Sequence, residues 1–373
     1  MKRIDSFLRL VADQGASDLH FHAGNVPIIR HEGELMPLPF RVLSEVETSR
    51  FLLELLTEEQ RAEFAESQEA DLVYSIEGVA RFRVNIFVQS QGLGAVFRVI
   101  PNKTPTLDEL NLPIAVKKLT QLANGLVLVT GPTGSGKSTT LAAIVHKINR
   151  DHAYHIVTIE DPIEYLHPHL KSTVNQREVG SDTKTFALAL RAALRQAPKV
   201  ILIGEMRDVD TIEIAMEAAE TGHLVLSTLH TIDAAKTIDR IVGVFPKDQE
   251  SQVRTRFAQS FRYVLSQRLL PKVGGGRIAV LEILKSTMRT RDYVLKGETE
   301  GRSLIDAMHD GSVDGMQTFD DELEKLWSKR VISREMALAY ATNPTNLALR
   351  LSDGQNDSAP VASGDDSMLS MLE

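Results

Sequence analysis

An apolar run, Gly125-Leu-Val-Leu-Val-Thr130, leads directly into Gly131-Pro-Thr-Gly-Ser-Gly-Lys137-Ser138 and then into a helical pattern. Strand, GxxxxGKS loop and helix in that order are the context a phosphate-binding loop requires. They commit this part of the chain to a sheet with crossover helices. Gly131, Gly134 and Gly136 permit backbone conformations closed to other residues, so successive N–H groups converge on phosphate oxygens at the start of the helix. Lys137 supplies a mobile positive charge for the β- and γ-phosphates, and the Ser138 hydroxyl is placed to ligate Mg²⁺. The candidate nucleotide-binding residues are therefore Gly131, Pro132, Thr133, Gly134, Ser135, Gly136, Lys137, Ser138 and Thr139, with ATP and Mg²⁺ the expected ligands.

From about residue 114 the pattern alternates strand and helix, as in a parallel sheet. Short Val/Ile/Leu-rich runs at Leu126 to Thr130, His155 to Ile159, Val200 to Gly204 and Leu224 to Leu229 read as strands buried on both faces, with ligands expected at their C-terminal ends. Residues 1–100 read as a separate α+β domain. Ile4, Phe7, Leu8 and Val11 mark a helix over 3–13, a second helix is expected over 44–67, and strands are expected at 17–22, 26–30, 71–76, 81–89 and 94–100. A proline-bearing linker over 101–113 joins it to an ATPase-type domain over 114–351. Within that domain a long amphipathic helix is expected from Asp248 to Leu270, a β-like segment over 277–284, and helices near 288–296, 318–329 and 333–341. The Ser/Asp/Gly-rich stretch 352–373 reads as a disordered acidic tail.

The sequence holds 373 residues, 43% of them hydrophobic, enough for a sizeable core in two or three domains. No cysteine is present, which excludes disulfides, thiolate catalysis and cysteine-based zinc modules. A formal charge of −8 argues against a mainly electrostatic nucleic-acid binder. No apolar run approaches the roughly 20 residues of a membrane span, so a cytoplasmic protein without membrane insertion is expected.

Polar clusters follow the expected strands. Thr158-Ile-Glu160-Asp161-Pro-Ile-Glu164 brings three carboxylates to one strand end, where Glu160 or Glu164 can orient an attacking water and accept its proton at one water's remove from the metal. Glu160 is also a candidate for the metal's surroundings. Val200-Ile-Leu-Ile-Gly204-Glu205 has the form of a Walker B strand with glycine at the usual aspartate position, leaving Glu205 to act on the water or on a Mg²⁺-bound water. His230, at the end of the fourth strand, is a candidate γ-phosphate sensor, whereas His223 at its start is a structural histidine as readily as a functional one. His20 and His22 alternate on one strand face and read as structural. Arg81, Arg83 and Arg98 read, on the residues alone, as a solvated basic face.

With these blocks in place the chain resembles the type IV pilus retraction ATPases of the PilT/PilU group, within the secretion ATPase superfamily. The resemblance runs from residue 1 to about 345 and rests on SDLHFHAG, ARFRVNIF, GAVFRVIP, GPTGSGKS, TIEDPIEY, VNQREVG, RQAP, ILIGEMRD, ETGHLVLSTLHT and GMQTF. It implies a PAS-like N-terminal domain joined to a RecA-like ATPase domain, with six copies in a ring and nucleotide bound where the two domains close. It also assigns roles: Glu164 as general base, Glu205 as the Walker B glutamate, His230 as the His-box histidine, and Arg81 with Arg98 as arginine fingers. An inner-membrane pilus platform protein is the implied partner, with the chain peripheral at the pilus base. Where PilT-type motors carry an AIRNLIRE-like helix, this chain has Met288 to Lys296. That departure, with residues 343–350 and the acidic extension, resembles PilU-like accessory ATPases, which work beside a paralogous PilT-type motor. The competing class is a RecA-like nucleic-acid translocase, which shares the loop and the sheet; a scaffold that binds nucleotide only to assemble is a third.

Overall fold

In a computed structural model of the chain, residues 2–31, 33–100, 103–299 and 301–356 are described. The strands are β1 (Asp18–His22), β2 (Ile28–His31), β3 (Glu34–Pro37), β4 (Glu69–Ile76), β5 (Ala80–Gln89), β6 (Gly92–Ile100), β7 (Gly125–Thr130), β8 (His155–Glu160), β9 (Thr173–Glu178), β10 (Val200–Ile203), β11 (Leu224–Leu229), β12 (Phe261–Pro271) and β13 (Arg277–Lys285). The chain divides into two compact units, one formed by 1–105 and 149–189, the other by 106–148 and 190–373.

In the first unit β1 to β6 form an antiparallel sheet in the order β3-β2-β1-β6-β5-β4. Alternation fixes its faces. Phe82, Val84 and Ile86 of β5 are fully buried with Phe97 of β6 and Phe21 of β1, and Ile4, Leu8 and Val11 of the helix Asp5–Asp13 pack into the same core. Arg81 and Arg83 therefore project from the opposite face, and the register sets Arg83 directly across from Arg98. The helix expected over 44–67 is two helices, Glu45–Leu53 and Glu58–Ser67. Ser44 with Glu47 and Thr57 with Gln60 form capping boxes, and the second box restarts the helix after a break. Strand β3 has no counterpart in the sequence reading, because all four of its residues are exposed and carry no alternating signal. The parallel pair β8-β9 also belongs to this unit.

The second unit carries parallel strands around the phosphate-loop strand: β7 lies between β11 and β12, with β10 beyond β11 and β13 antiparallel to β12. Every residue of β7 and β11 is buried, as two-sided coverage demands. The helix expected from Asp248 to Leu270 ends at Ser260, where Phe261 turns extended and begins β12. The reason is burial on both faces: Phe261, Tyr263 to Gln267 and Leu270 are all buried, consecutive positions included, so the segment has no period to distinguish it from a helix. The helices Phe319–Ser328, Arg334–Ala339 and Pro344–Asn356 pack Phe319, Leu323, Leu326, Leu347 and Leu351 against Leu270 and Val280. Anchored by Leu347 and Leu351, that last helix runs through 352–356, so the acidic tail does not start at Ser352. Its remaining positions, 357–373, and linker positions 101 and 102 lie outside the described residues.

Candidate nucleotide site

The parallel registers of the second unit bring the expected groups together. Thr130 of β7 pairs with Leu229 of β11, and the Gly131 N–H donates to the Leu229 carbonyl at 3.3 Å, so His230 leaves its strand beside the start of the phosphate loop. Gly131, Gly134 and Gly136 adopt φ of 146°, 80° and 87°, a region that favours glycine. The Lys137 ammonium donates to the carbonyls of Gly131 and Pro132 at 2.8 and 3.0 Å, folded back over the loop that it serves. Helix Lys137–Asp151 begins at that residue. Glu205 follows β10 and is held by its neighbours: Thr228 Oγ1 donates to the Gly204 carbonyl at 2.6 Å, and the Met206 N–H donates to the Thr228 carbonyl at 3.2 Å. Arg207 ion-pairs with one Glu205 oxygen. The other, Oε2, is buried without a hydrogen-bond donor and lies 3.7 Å from His230 Nε2. Burial, then repulsion from Lys137 and Arg207, outweighs attraction to Glu205 and holds the His230 pKa below its ordinary value, leaving a neutral imidazole at neutral pH. Asp208 caps the helix Val209–Glu220 through the Thr211 N–H at 2.8 Å. His223 Nδ1–H donates to the Ala218 carbonyl at 3.0 Å.

In the first unit the acidic loop after β8 is held by β9. Gln176 Nε2 donates to Glu160 Oε1 at 3.1 Å and to the Tyr165 carbonyl at 2.8 Å, and its Oε1 accepts the His167 N–H at 2.8 Å. Glu178 accepts the Ile163 N–H at 3.0 Å. These two residues lie in VNQREVG, for which the sequence suggested no role. Arg81 Nη1 reaches the Ile163 carbonyl at 3.4 Å, which places its guanidinium on the loop that carries Glu160 and Glu164. Glu164 is exposed. Burial pushes the Glu160 carboxyl up to about 7, against hydrogen bonds from Thr158 and Gln176. Arg98 points elsewhere: its Nε donates to Asp18 Oδ1 at 2.9 Å, and Arg30 approaches the same buried carboxylate at 3.4 Å. His20 and His22 stack with ring centroids 6.0 Å apart, and burial lowers both pKa values.

Mg²⁺ prefers oxygen donors and keeps several waters, taking one or two protein ligands plus phosphates. The Ser138 hydroxyl and the unpartnered Glu205 oxygen suit that set, directly or through water.

A carboxyl outside this cluster is unusual. Glu282 of β13 is 3% exposed, accepts the Ala234 N–H at 2.8 Å at the start of the helix Ala234–Gly243, and is pushed by burial up to about 7. Its folded value lies above its unfolded value of 4.5, so its contribution to stability is complete below about pH 4.5 and is lost as pH rises through about 7. Glu282→Gln should remove about 3 kcal/mol from the difference between pH 5 and pH 8. Urea unfolding of both proteins at the two pH values measures this; identical pH dependence would contradict it.

Comparison with known proteins identifies the family. Residues 1–277 match the family described as Type II/IV secretion system protein. The type IV pilus retraction ATPase PilT of Pseudomonas aeruginosa is 47% identical over 343 residues, covering 92% of this chain and 99% of its own length. The type IV pilus ATPase PilU of the same organism is 42% identical over 356 residues, covering 95% and 93%. A crystal structure of the pilus retraction motor PilT with bound ADP aligns with a TM-score of 0.85 at 42% identity, covering 94% of this chain and 99% of that one. The fold and site thus define a nucleotide-binding P-loop ATPase with a RecA-like core. The chain belongs to the Type II/IV secretion system protein family and, within it, to the PilT/PilU group.

Proposed function

We propose that this ATPase drives type IV pilus retraction as a homohexamer at the cytoplasmic face of the inner membrane, acting on the pilus platform protein so that pilin leaves the base. The observation that carries the reading is the 47% identity to PilT spread over 92% of this chain and 99% of that relative. Among the described residues no helix is long and apolar enough to cross a membrane, which suits a peripheral motor.

In the proposed mechanism the N–H groups of residues 131–139 and Lys137 hold the phosphates. Ser138, with the Glu205 oxygen directly or through water and Glu160 as the further candidate from the sequence, would hold Mg²⁺, which would supply charge neutralisation to the bound phosphates. Glu164 takes the proton of the attacking water, and Glu205 orients that water through its unpartnered oxygen. Neutral His230 donates to the γ-phosphate and loses that contact on cleavage. Arg81 and Arg98 stabilise the transferring charge as the N-terminal domain closes, Arg98 exchanging Asp18 for phosphate. Opening after hydrolysis is the working stroke.

Within that reading, an accessory role beside a PilT-type motor is supported by the divergent helix Met288–Lys296, while overall identity is higher to PilT (47%) than to PilU (42%). Complementation tests both levels. Expression should restore twitching in a strain lacking the accessory ATPase and fail in one lacking the main motor. Rescue of the main-motor strain alone would reverse the assignment, and rescue of neither would overturn the retraction reading.

A further inference from the structure

Gln267 of β12 is 2% exposed, and both ends of its amide are engaged by the phosphate loop. Its Nε2 donates to the Ser135 carbonyl at 2.6 Å, and its Oε1 accepts the Thr140 hydroxyl at 2.8 Å. A carbonyl oxygen only accepts, so the nitrogen end must face Ser135. Ser135 is in the loop and Thr140 is in the first turn of the helix Lys137–Asp151; one side chain therefore ties the loop to the helix that follows it. The approach is close. A Cβ on Gly131 would lie 2.3 Å from the Gln267 carbonyl oxygen, and one on Gly136 would lie 3.0 Å from Nε2. Gly131 and Gly136 are thus glycines partly because Gln267 occupies the space behind the loop.

We propose that Gln267 is a positioning residue for the nucleotide phosphates. In a planar trans peptide the C=O and N–H point in opposite directions. Drawing the Ser135 carbonyl toward Gln267 turns the Gly136 N–H the other way, away from β12, where it is available to a phosphate oxygen. A loop of this kind binds anions only when its N–H groups converge and its carbonyls are held back, because an inward carbonyl would repel the phosphate. Gln267 supplies that restraint without touching the nucleotide. The hydrogen bond to Thr140 fixes its amide and keeps the helix N-terminus in line with the loop.

The inference rests on nucleotide binding by this loop, which ADP affinity of the wild-type protein tests separately. The experiment measures the ADP dissociation constant by titration calorimetry at pH 6 and pH 8.5 for wild type, Gln267→Leu, Gln267→Glu and Thr140→Val, beside melting temperatures without nucleotide. Gln267→Leu leaves the Ser135 carbonyl unheld and should weaken ADP binding about tenfold relative to wild type at both pH values. Gln267→Glu can donate to Ser135 only as the neutral acid, and burial should raise its carboxyl as it raises that of Glu282 on the adjacent strand to about 7, so its ratio to wild type should be about tenfold at pH 8.5 and should approach one at pH 6. A merely structural glutamine would lower the melting temperature without producing that pH-dependent ratio. Ratios within twofold of one for both variants at both pH values would overturn the proposal. Should Gln267→Leu fail to fold, Gln267→Glu ratios within twofold of one at both pH values overturn it. Thr140→Val, which retains the amide, should weaken binding severalfold, and wild-type affinity there would also count against it.

Discussion

Glu205→Ala is expected to bind ATP with near wild-type affinity while hydrolysing it about 10³-fold more slowly. The carboxylate stands just beyond β10, its backbone neighbours tied to β11 and one of its oxygens held by Arg207. The other oxygen is buried with no donor, and an unsatisfied carboxylate oxygen in that position is poised for a water or a metal-bound water. On the proposed role, its removal deletes the interaction with the attacking water and leaves the loop and Lys137 to bind phosphate as before. Turnover should therefore collapse without a matching change in nucleotide affinity. Steady-state phosphate release and fluorescent-nucleotide titration on the purified protein separate the two quantities. A Glu205→Ala protein turning over at the wild-type rate would refute the role.

Arg81→Ala should lower kcat by roughly 10³-fold, whereas Arg83→Ala should leave it within about twofold. The two arginines share one strand and one sheet face, so net charge and surface composition change equally in the two variants. Their surroundings differ. Arg81 contacts the Ile163 carbonyl in the acidic loop, whereas Arg83 stands opposite Arg98 in the register, where its removal relieves like-charge repulsion. A solvated basic face would make the two substitutions equivalent. Equal kcat values in a phosphate-release assay would thus return Arg81 to that plainer role.

The phosphate loop was legible in the sequence because its requirements are local: glycines at positive φ, a lysine at fixed spacing, and an apolar strand before it. The parallel strands β7, β8, β10 and β11 were legible as apolar runs at the right intervals, whereas β9, Thr173 to Glu178, is mostly polar and was not. What escaped depended on partners remote in sequence. Phe261 to Leu270 has no alternation because consecutive residues from Tyr263 to Gln267 are buried, and with the strand hidden, Gln267 was placed on a helix where it had no reason to meet residue 135. Glu282 fell within a segment expected to be β-like, yet nothing local marks a carboxyl that tertiary packing will bury. The break between Glu45–Leu53 and Glu58–Ser67 is different, since Ser44 with Glu47 and Thr57 with Gln60 announce two separate starts in the sequence itself. Arg98 is a third kind of case: motif similarity names the residue, but only the register shows Asp18 across from it.

Strand β12 has a bearing on how small a working version of this enzyme can be made. Next to Gln267, Arg268 sets its guanidinium 3.7 Å from the ring centre of Phe319 and hydrogen-bonds the Tyr340 carbonyl. A truncation designed around the familiar motifs would stop soon after His230 and retain every residue usually credited with handling ATP. It would also discard the backing of the cradle and the helices that brace that backing. The minimal catalytic fragment must therefore extend to about residue 350, and shortened proteins that lose nucleotide affinity should not be taken as evidence for a regulatory C-terminus.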